Sequence, residues 1–210
     1  MSIVSIIKTK NNSEEAIAEA VRKAIDAIGG ISDIIKPGFK VLINPNLVAP
    51  GSDRLSGAVT RYEVCKAIYD ICKEAGAEPY IAESSAAGVD TEKVIEFAEY
   101  TKLREQGYTV LDLKKQPRAV IECPQGEVVQ RLETWQPVVD ADAIISVPVM
   151  NTHDQTEVTL GIKNLKGLIQ DTEKKEFHKK YPMLCHWISS FQFHVFQKHS
   201  LSHVGQQPLL

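Results

Sequence analysis

The sequence predicts an α/β fold: a mostly parallel sheet with helices on both faces and an inserted β-hairpin. Three observations lead there. Apolar strand-like runs alternate with helical periodicity in three strand–helix–strand passages, an order that right-handed crossovers wind into a parallel sheet. Residues 40–44 (KVLIN) and 142–150 (DAIISVPVM) read as buried strands. Residues 118–123 and 127–132 instead flank a Pro-Gln-Gly turn and read as a hairpin set into that framework.

Taken in order, residues 3–7 (IVSII) are a short apolar strand candidate. From Ala16 the residues Ile17, Ala20, Val21, Ala24, Ile25 and Ile28 recur at helical spacing, with Asn12 and Glu15 placed as a capping box and Gly29-Gly30 as the stop. Pro45 ends the strand 40–44 because it has no ladder donor. The loop to Val59 follows. Thr60 and Glu63 form a second T-x-x-E box; Val64, Ala67, Ile68, Ile71 and Ala75 make the apolar face of that helix, and Gly76 ends it. Strand 79–84 (PYIAES) comes next, then a helix from Thr91 to about Glu105 capped by Asp90, and strand 108–113 (YTVLDL).

Composition narrows the function classes. A chain of 210 residues is long enough to bury a core without disulfide staples. With 43% hydrophobic and 24% charged residues and a formal charge of −3, it has no electrostatic footprint for nucleic acid or an anionic membrane. No basic leader or membrane-length apolar run is visible, so the expected location is the cytoplasm. Cys65, Cys72, Cys123 and Cys185 contain no CxxC pair, hence no zinc or iron–sulphur ladder, and no metal ligands are assigned.

Ligands of open parallel sheets lie beyond the carboxyl ends of the strands. That rule selects the loop after Asn44, the Glu83-Ser84-Ser85 turn and residues 151–159. The first loop is about 15 residues, against roughly 2–6 for an ordinary strand-to-helix link, and delivers Thr60 and Arg61 to a helix N-terminus. A guanidinium there suits a carboxylate or phosphate, although a solvated first-turn arginine accounts for it equally. Glu83, at a strand end, is a candidate acid–base group or a structural carboxylate. Val158, Ile162, Leu165 and Ile169 share a narrow helical arc, which puts Lys163 and Lys166 on one flank, where an anion would relieve their repulsion. Gly161 and Gly167 within that stretch hint at close backbone approach. His153 stands at the end of its strand, able to act as base, ligand or plain hydrogen-bond partner. The expected site therefore has His153 and Glu83 for acid–base work, and Asn46, Thr60, Arg61, Lys163, Asn164 and Lys166 for binding. Its ligand is expected to be a small anionic metabolite or cofactor of unknown identity. No phosphate loop, GxGxxG, nucleophile elbow or HExxH is present.

The segments VLINPNLV (41–48), GAVTRYEV (57–64), EAGAEPYIAES (74–84), DAIISVPVMNTH (142–153) and VTLGIKNLKGLI (158–169) together resemble the domain-of-unknown-function family numbered 362. The resemblance implies an α/β fold with a site built from these loops. It also implies association with iron–sulphur proteins, since members often carry a ferredoxin-type module, so a ferredoxin-like partner is expected. The CxxCxxCxxxCP stretch is lacking here, so this chain has no 4Fe–4S ligand motif. Asn44 and Asn151 stand where the family usually has lysine, which removes two expected cations. Thr60-Arg61, His153 and Lys163 are also similar in layout to nickel-dependent lactate racemases, which makes racemase- or isomerase-type chemistry on a hydroxy acid an alternative.

The sequence divides into residues 1–181, the α/β domain, and an atypical tail, 182–210. The tail contains none of the 27 acidic residues and four of the six histidines, His186, His194, His199 and His203. A frame change or premature end near Tyr181 would explain this and would leave the domain incomplete at its C-terminus, even a non-functional fragment. A divergent helix, with Trp187, Phe191 and Val195 at helical spacing, is the other reading.

Overall fold

The computed structural model describes residues 3–124, 129–153 and 157–180. Four strands, β1 (Lys40–Pro45), β2 (Glu78–Glu83), β3 (Val110–Asp112) and β6 (Ala143–Val147), form one all-parallel sheet in the order β3-β2-β1-β6. The chain winds outward from β1 to β3 and then crosses back to place β6 on the other side of β1. The crevice where the winding direction reverses therefore opens at the carboxyl ends of β1 and β6.

Side chains alternate across the sheet, so each face buries its own layer. Val41, Ile43, Ile81 and Val110 pack under α2 (Tyr62–Glu74), through Cys65, Ile68 and Cys72, and under α3 (Thr91–Phe97), through Val94 and Ile95. Helix α1 (Glu14–Asp26) lies against α2. On the opposite face Leu42, Ala82 and Leu113 meet Leu132 and Trp135 of the hairpin β4 (Arg118–Glu122) and β5 (Arg131–Trp135), and Val138 of α5 (Gln136–Asp140). Leu165 and Leu168, on a 3-10 turn (Leu165–Leu168), complete that layer. The expected α/β architecture, a parallel sheet flanked by helices with a separate hairpin, is the one observed.

Several local expectations are corrected. Residues 3–7 form no strand: among the described residues they have no strand beside them, and their apolar side chains are exposed. The cap of α1 is Ser13, whose hydroxyl accepts from Ala16 N–H at 3.2 Å, while the Asn12 side chain binds Arg61 instead. Helix α2 starts at Tyr62 with Arg61 as N-cap and no side-chain cap bond, because the Thr60 hydroxyl donates to the Val147 carbonyl at 2.7 Å. The helix expected over 91–105 is two pieces, α3 and α4 (Thr101–Glu105), broken at Glu99, which adopts φ +61°. In the hairpin, Glu122 pairs with Arg131, so the second strand begins four residues later than the Pro-Gln-Gly turn predicts and ends three later, placing Trp135 in the core. The helix expected over 158–169 is also divided. Backbone pairing of β7 (Asn151–His153) with β8 (Glu157–Thr159) claims Val158, and only then do α6 (Gly161–Asn164) and the 3-10 turn follow. The last described element is α7 (Asp171–Lys180), which the sequence reading did not identify. The tail, 182–210, with its four histidines and Cys185, lies outside the described residues. Among the described residues no helix is long and apolar enough to cross a membrane.

Candidate functional site

Beyond the carboxyl ends of β1, β2 and β6 lies a cavity of about 350 Å³. Strand β1 brings Asn44 and, just past its end, Asn46. Strand β2 brings Glu83 and the following Ser84, β7 begins with Asn151, and the turn after β8 brings Lys163, Asn164, Lys166 and Gly167. Helix α7 closes the wall with Lys174 and Lys175. Val48, Ala86 and Ala87 make the apolar part of the lining.

A continuous polar chain runs beneath this cavity from one strand end to the next. Asn164 Nδ2 donates to the Asn44 carbonyl at 2.8 Å and lies 3.2 Å from both Asn44 Oδ1 and Ser146 Oγ. Asn44, fully buried, donates in turn to the Ala82 carbonyl at 3.2 Å and, through a short contact, to the Glu83 carboxylate. The Lys174 ammonium donates to the Ser84 carbonyl (2.6 Å), Ser84 Oγ (2.8 Å) and the Ser85 carbonyl (2.8 Å), with Asp171 3.5 Å away. Ser84 Oγ also donates to the Gly167 carbonyl at 2.6 Å. Buried polar groups of this kind hold position only when each has a partner. Here three strand ends and one helix satisfy one another.

Gly167 has a specific reason to be glycine. A methyl group there would overlap the Glu83 carboxylate, whereas at Gly161 it would meet open space. Close backbone approach therefore applies to one of the two glycines, and what approaches is the buried acid.

Titration follows from this burial. Desolvation raises the Glu83 pKa well above the carboxylate range, against the pull of Lys174 and the Asn44 hydrogen bond. Burial lowers that of Lys174, with Glu83 and Asp171 opposing. Lys166 is lowered to about 8 by burial and by the neighbouring charges of Lys163 and Lys174. The cavity thus holds four lysines around one carboxyl group that resists ionisation, a field suited to an anion.

Of the residues expected at the site, Glu83, Asn46, Lys163, Asn164 and Lys166 line this one cavity. Thr60 and Arg61 do not. Thr60 is a clasp: its hydroxyl accepts from Asn46 N–H at 2.8 Å and donates to Val147, and its own N–H donates to the Asn46 carbonyl at 2.9 Å. That clasp closes the long loop at its base. The Arg61 guanidinium donates to Asn12 Oδ1 (3.0 Å), the Asn12 carbonyl (3.1 Å) and Glu63 (2.9 Å). Burial alone would raise the Glu63 pKa, but Arg61, with Arg54 nearby, holds it below the usual value. The first-turn arginine is structural: it pairs with Glu63 of its own helix and hydrogen-bonds Asn12, just before α1. The His153 backbone pairs with Glu157, and its side chain lies outside the described residues. Asn44 and Ser84 lie in strand-end segments that the sequence selected but were given no part in the site; Lys174 went unmarked, and its one signal is its spacing of three from Asp171. Cys65, Cys72 and Cys123 are buried free thiols, with Cys65 pushed up to about 12 by desolvation. Among the described residues no group of three or more His, Cys, Asp or Glu side chains could hold a metal ion.

Comparison with known proteins gives two matches. The family model described as "Domain of unknown function (DUF362)" matches residues 41–203. A thylakoid-associated protein of Synechocystis sp. is 28% identical over 179 residues, 83% of this chain and 53% of the relative. The chain therefore spans about half the length of the curated relative it matches.

Proposed function

We infer, for a chain that belongs to the DUF362 family, that the cavity at the carboxyl ends of β1, β2 and β6 binds a small anionic metabolite or cofactor. The observation that carries this reading is the convergence of Lys163, Lys166, Lys174 and Lys175 on one cavity of about 350 Å³, at the winding reversal of the sheet. That volume lies at the small end of the roughly 300–1,000 Å³ range of ligand pockets, which favours a compact ligand. Asn44 and Asn151 do not supply the cations that family resemblance leads one to expect, but α7 brings two lysines of its own to the same wall. An anion between Lys163 and Lys166 relieves the repulsion that helps hold Lys166 near 8. Asn46 and Asn164 offer hydrogen bonds, and the apolar side formed by Val48, Ala86 and Ala87 accommodates a carbon skeleton.

The test is thermal stabilisation of the whole chain by phosphate, small dicarboxylates, hydroxy acids and nucleotides, in wild type and in the Lys163→Ala/Lys166→Ala double variant. Stabilisation by one anion class, lost in the double variant, is the expected result. A shift that survives both substitutions refutes the assignment.

A raised Glu83 pKa keeps a proton available near neutrality, which supports acid–base chemistry on the bound anion with His153 as second group. Turnover of a hydroxy acid that vanishes in His153→Ala would establish the racemase-like alternative. Ligand binding without turnover, together with co-purification of a ferredoxin-like protein, would establish a redox accessory role.

A further inference from the structure

Another cavity lies along the outer side of β6, away from the four lysines. It measures about 540 Å³ and is lined by Ile25 and Ile28 of the α1 end, by Ile31, Ile34 and Ile35 of the following loop, and by residues 142–146. Ile34 is 69% exposed. Among the described residues β6 has β1 on one side and no strand on the other. A terminal strand presents a row of backbone N–H and C=O groups, and natural edges are usually protected by charge, proline or a covering element. The run Ala143–Val147 carries neither charge nor proline.

At the other end of the chain is a segment with the complementary character. Residues 3–7 (IVSII) are β-branched at every position except the serine, lie outside any regular element, and expose their side chains, with Val4 at 81% and Ile6 at 90%. The apolar run is followed by Lys8, and the one charged residue that lines the cavity is Asp142, of opposite sign.

We propose that residues 3–7 of one copy add as a fifth strand to the open edge of β6 in a second copy, and that the exchange is reciprocal. Strand addition satisfies the backbone groups of both partners while alternate side chains enter the apolar cavity. A single short strand covers little area. Two identical dockings around a two-fold axis double it and close the exchange, since the β6 edge and the apolar segment of each copy are then both covered. The anion cavity lies at the carboxyl ends of the strands and remains accessible in such a dimer, so this inference does not rest on the ligand reading.

The whole chain is measured by sedimentation velocity between low and high micromolar concentration. A closed dimer that becomes monomeric in Val4→Asp/Ile6→Asp, with the unfolding transition kept, is the expected result. A monomeric wild type, a dimer that survives the double substitution, or an open-ended series of larger species overturns the proposal. Disulfide trapping covers the case in which the double variant fails to fold. Two differently tagged chains, one Ile6→Cys and one Ile145→Cys, are mixed and oxidised. A cross-link between the two tags is expected. A chain carrying both substitutions that closes only onto itself shows the segment completing its own sheet, and overturns the exchange.

Discussion

Two cationic regions of this molecule, around Arg61 and around Lys174, behave in opposite ways. At the entrance to α2, Arg61 occupies a helix N-terminus after a long loop, the position at which an anion-binding arginine is expected, yet its guanidinium ties α1 to α2 through Asn12 and Glu63. On the wall formed by α7, Lys174 sits in a charged run to which the sequence assigned no element, yet it is buried beside Glu83 and binds the strand-end carbonyls. The difference teaches that the sign of a charge can be read from sequence, whereas the direction in which it points is decided by which neighbours arrive from distant segments.

The largest effect that would sharpen this contrast is Lys174→Met. Removing one partner from a buried ion-paired network costs about 3–5 kcal/mol, so the urea midpoint should fall steeply and anion-induced stabilisation should weaken with it. An unchanged midpoint would make Lys174 a surface lysine after all. Next in size is Gly167→Ala, where overpacking against the buried Glu83 carboxylate should cost about 2–3 kcal/mol, while Gly161→Ala, which meets open space, should cost nothing measurable. Equal losses at the two glycines would remove the close approach from the account.

The pH dependence comes third. Lys166 titrates near 8 in the folded chain, below the ordinary 10.5. Its charged form is therefore disfavoured by folding: stability contributed by this group is present above 10.5 and is lost as pH falls through 8. An anion that needs the protonated amine should bind with a constant contribution from this group below pH 8. Above it, affinity should fall by about tenfold per pH unit, or about 1.4 kcal/mol, until the lysine of the complex itself titrates. Isothermal titration at pH 7, 8 and 9 reads this directly, and a flat profile in wild type would exclude Lys166 from the ligand. The smallest effect is expected for Arg61→Ala. Its partner Glu63 is buried, but Arg54 stays 3.3 Å from that carboxylate, so the loss of stability should be about 1 kcal/mol, and anion affinity should not move. A large affinity loss would break the comparison by returning Arg61 to the site.

What was legible in the sequence follows the same division. Strands β1 and β2 are buried on both sides or nearly so, and β6 is half-buried, yet the apolar runs of all three announced them; α2 carried a clear apolar face. Predictions failed where a group had to choose between local and distant partners. The Thr60 hydroxyl binds Val147, 87 positions away, in preference to its own helix. Val158 joins a two-stranded ladder with Thr152 instead of extending the apolar arc of Ile162 and Leu165. Residues 3–7 have every property of a strand except a neighbour among the described residues. For the site, the rule that ligands lie beyond strand ends selected Asn46, Glu83 and the 163–166 run, which do share a cavity. The same rule could not reveal α7, because Lys174 is identified only by the carbonyls it meets.

The crossing of the chain from β3 back to β6 also has a kinetic meaning. The first three strands join through local crossovers, but β6 must find β1 over a long separation: Lys40 N–H meets the Asp142 carboxylate across 102 positions. Loop closure on that scale is entropically slow, and topologies dominated by such contacts fold late in those regions. Asn44 and Glu83 can be in place early, while Asn164, Lys166 and Lys174 arrive only after β6 has docked. The complete wall of this cavity is therefore a property of the finished fold, and any molecule that bound there would stabilise that fold over its precursors.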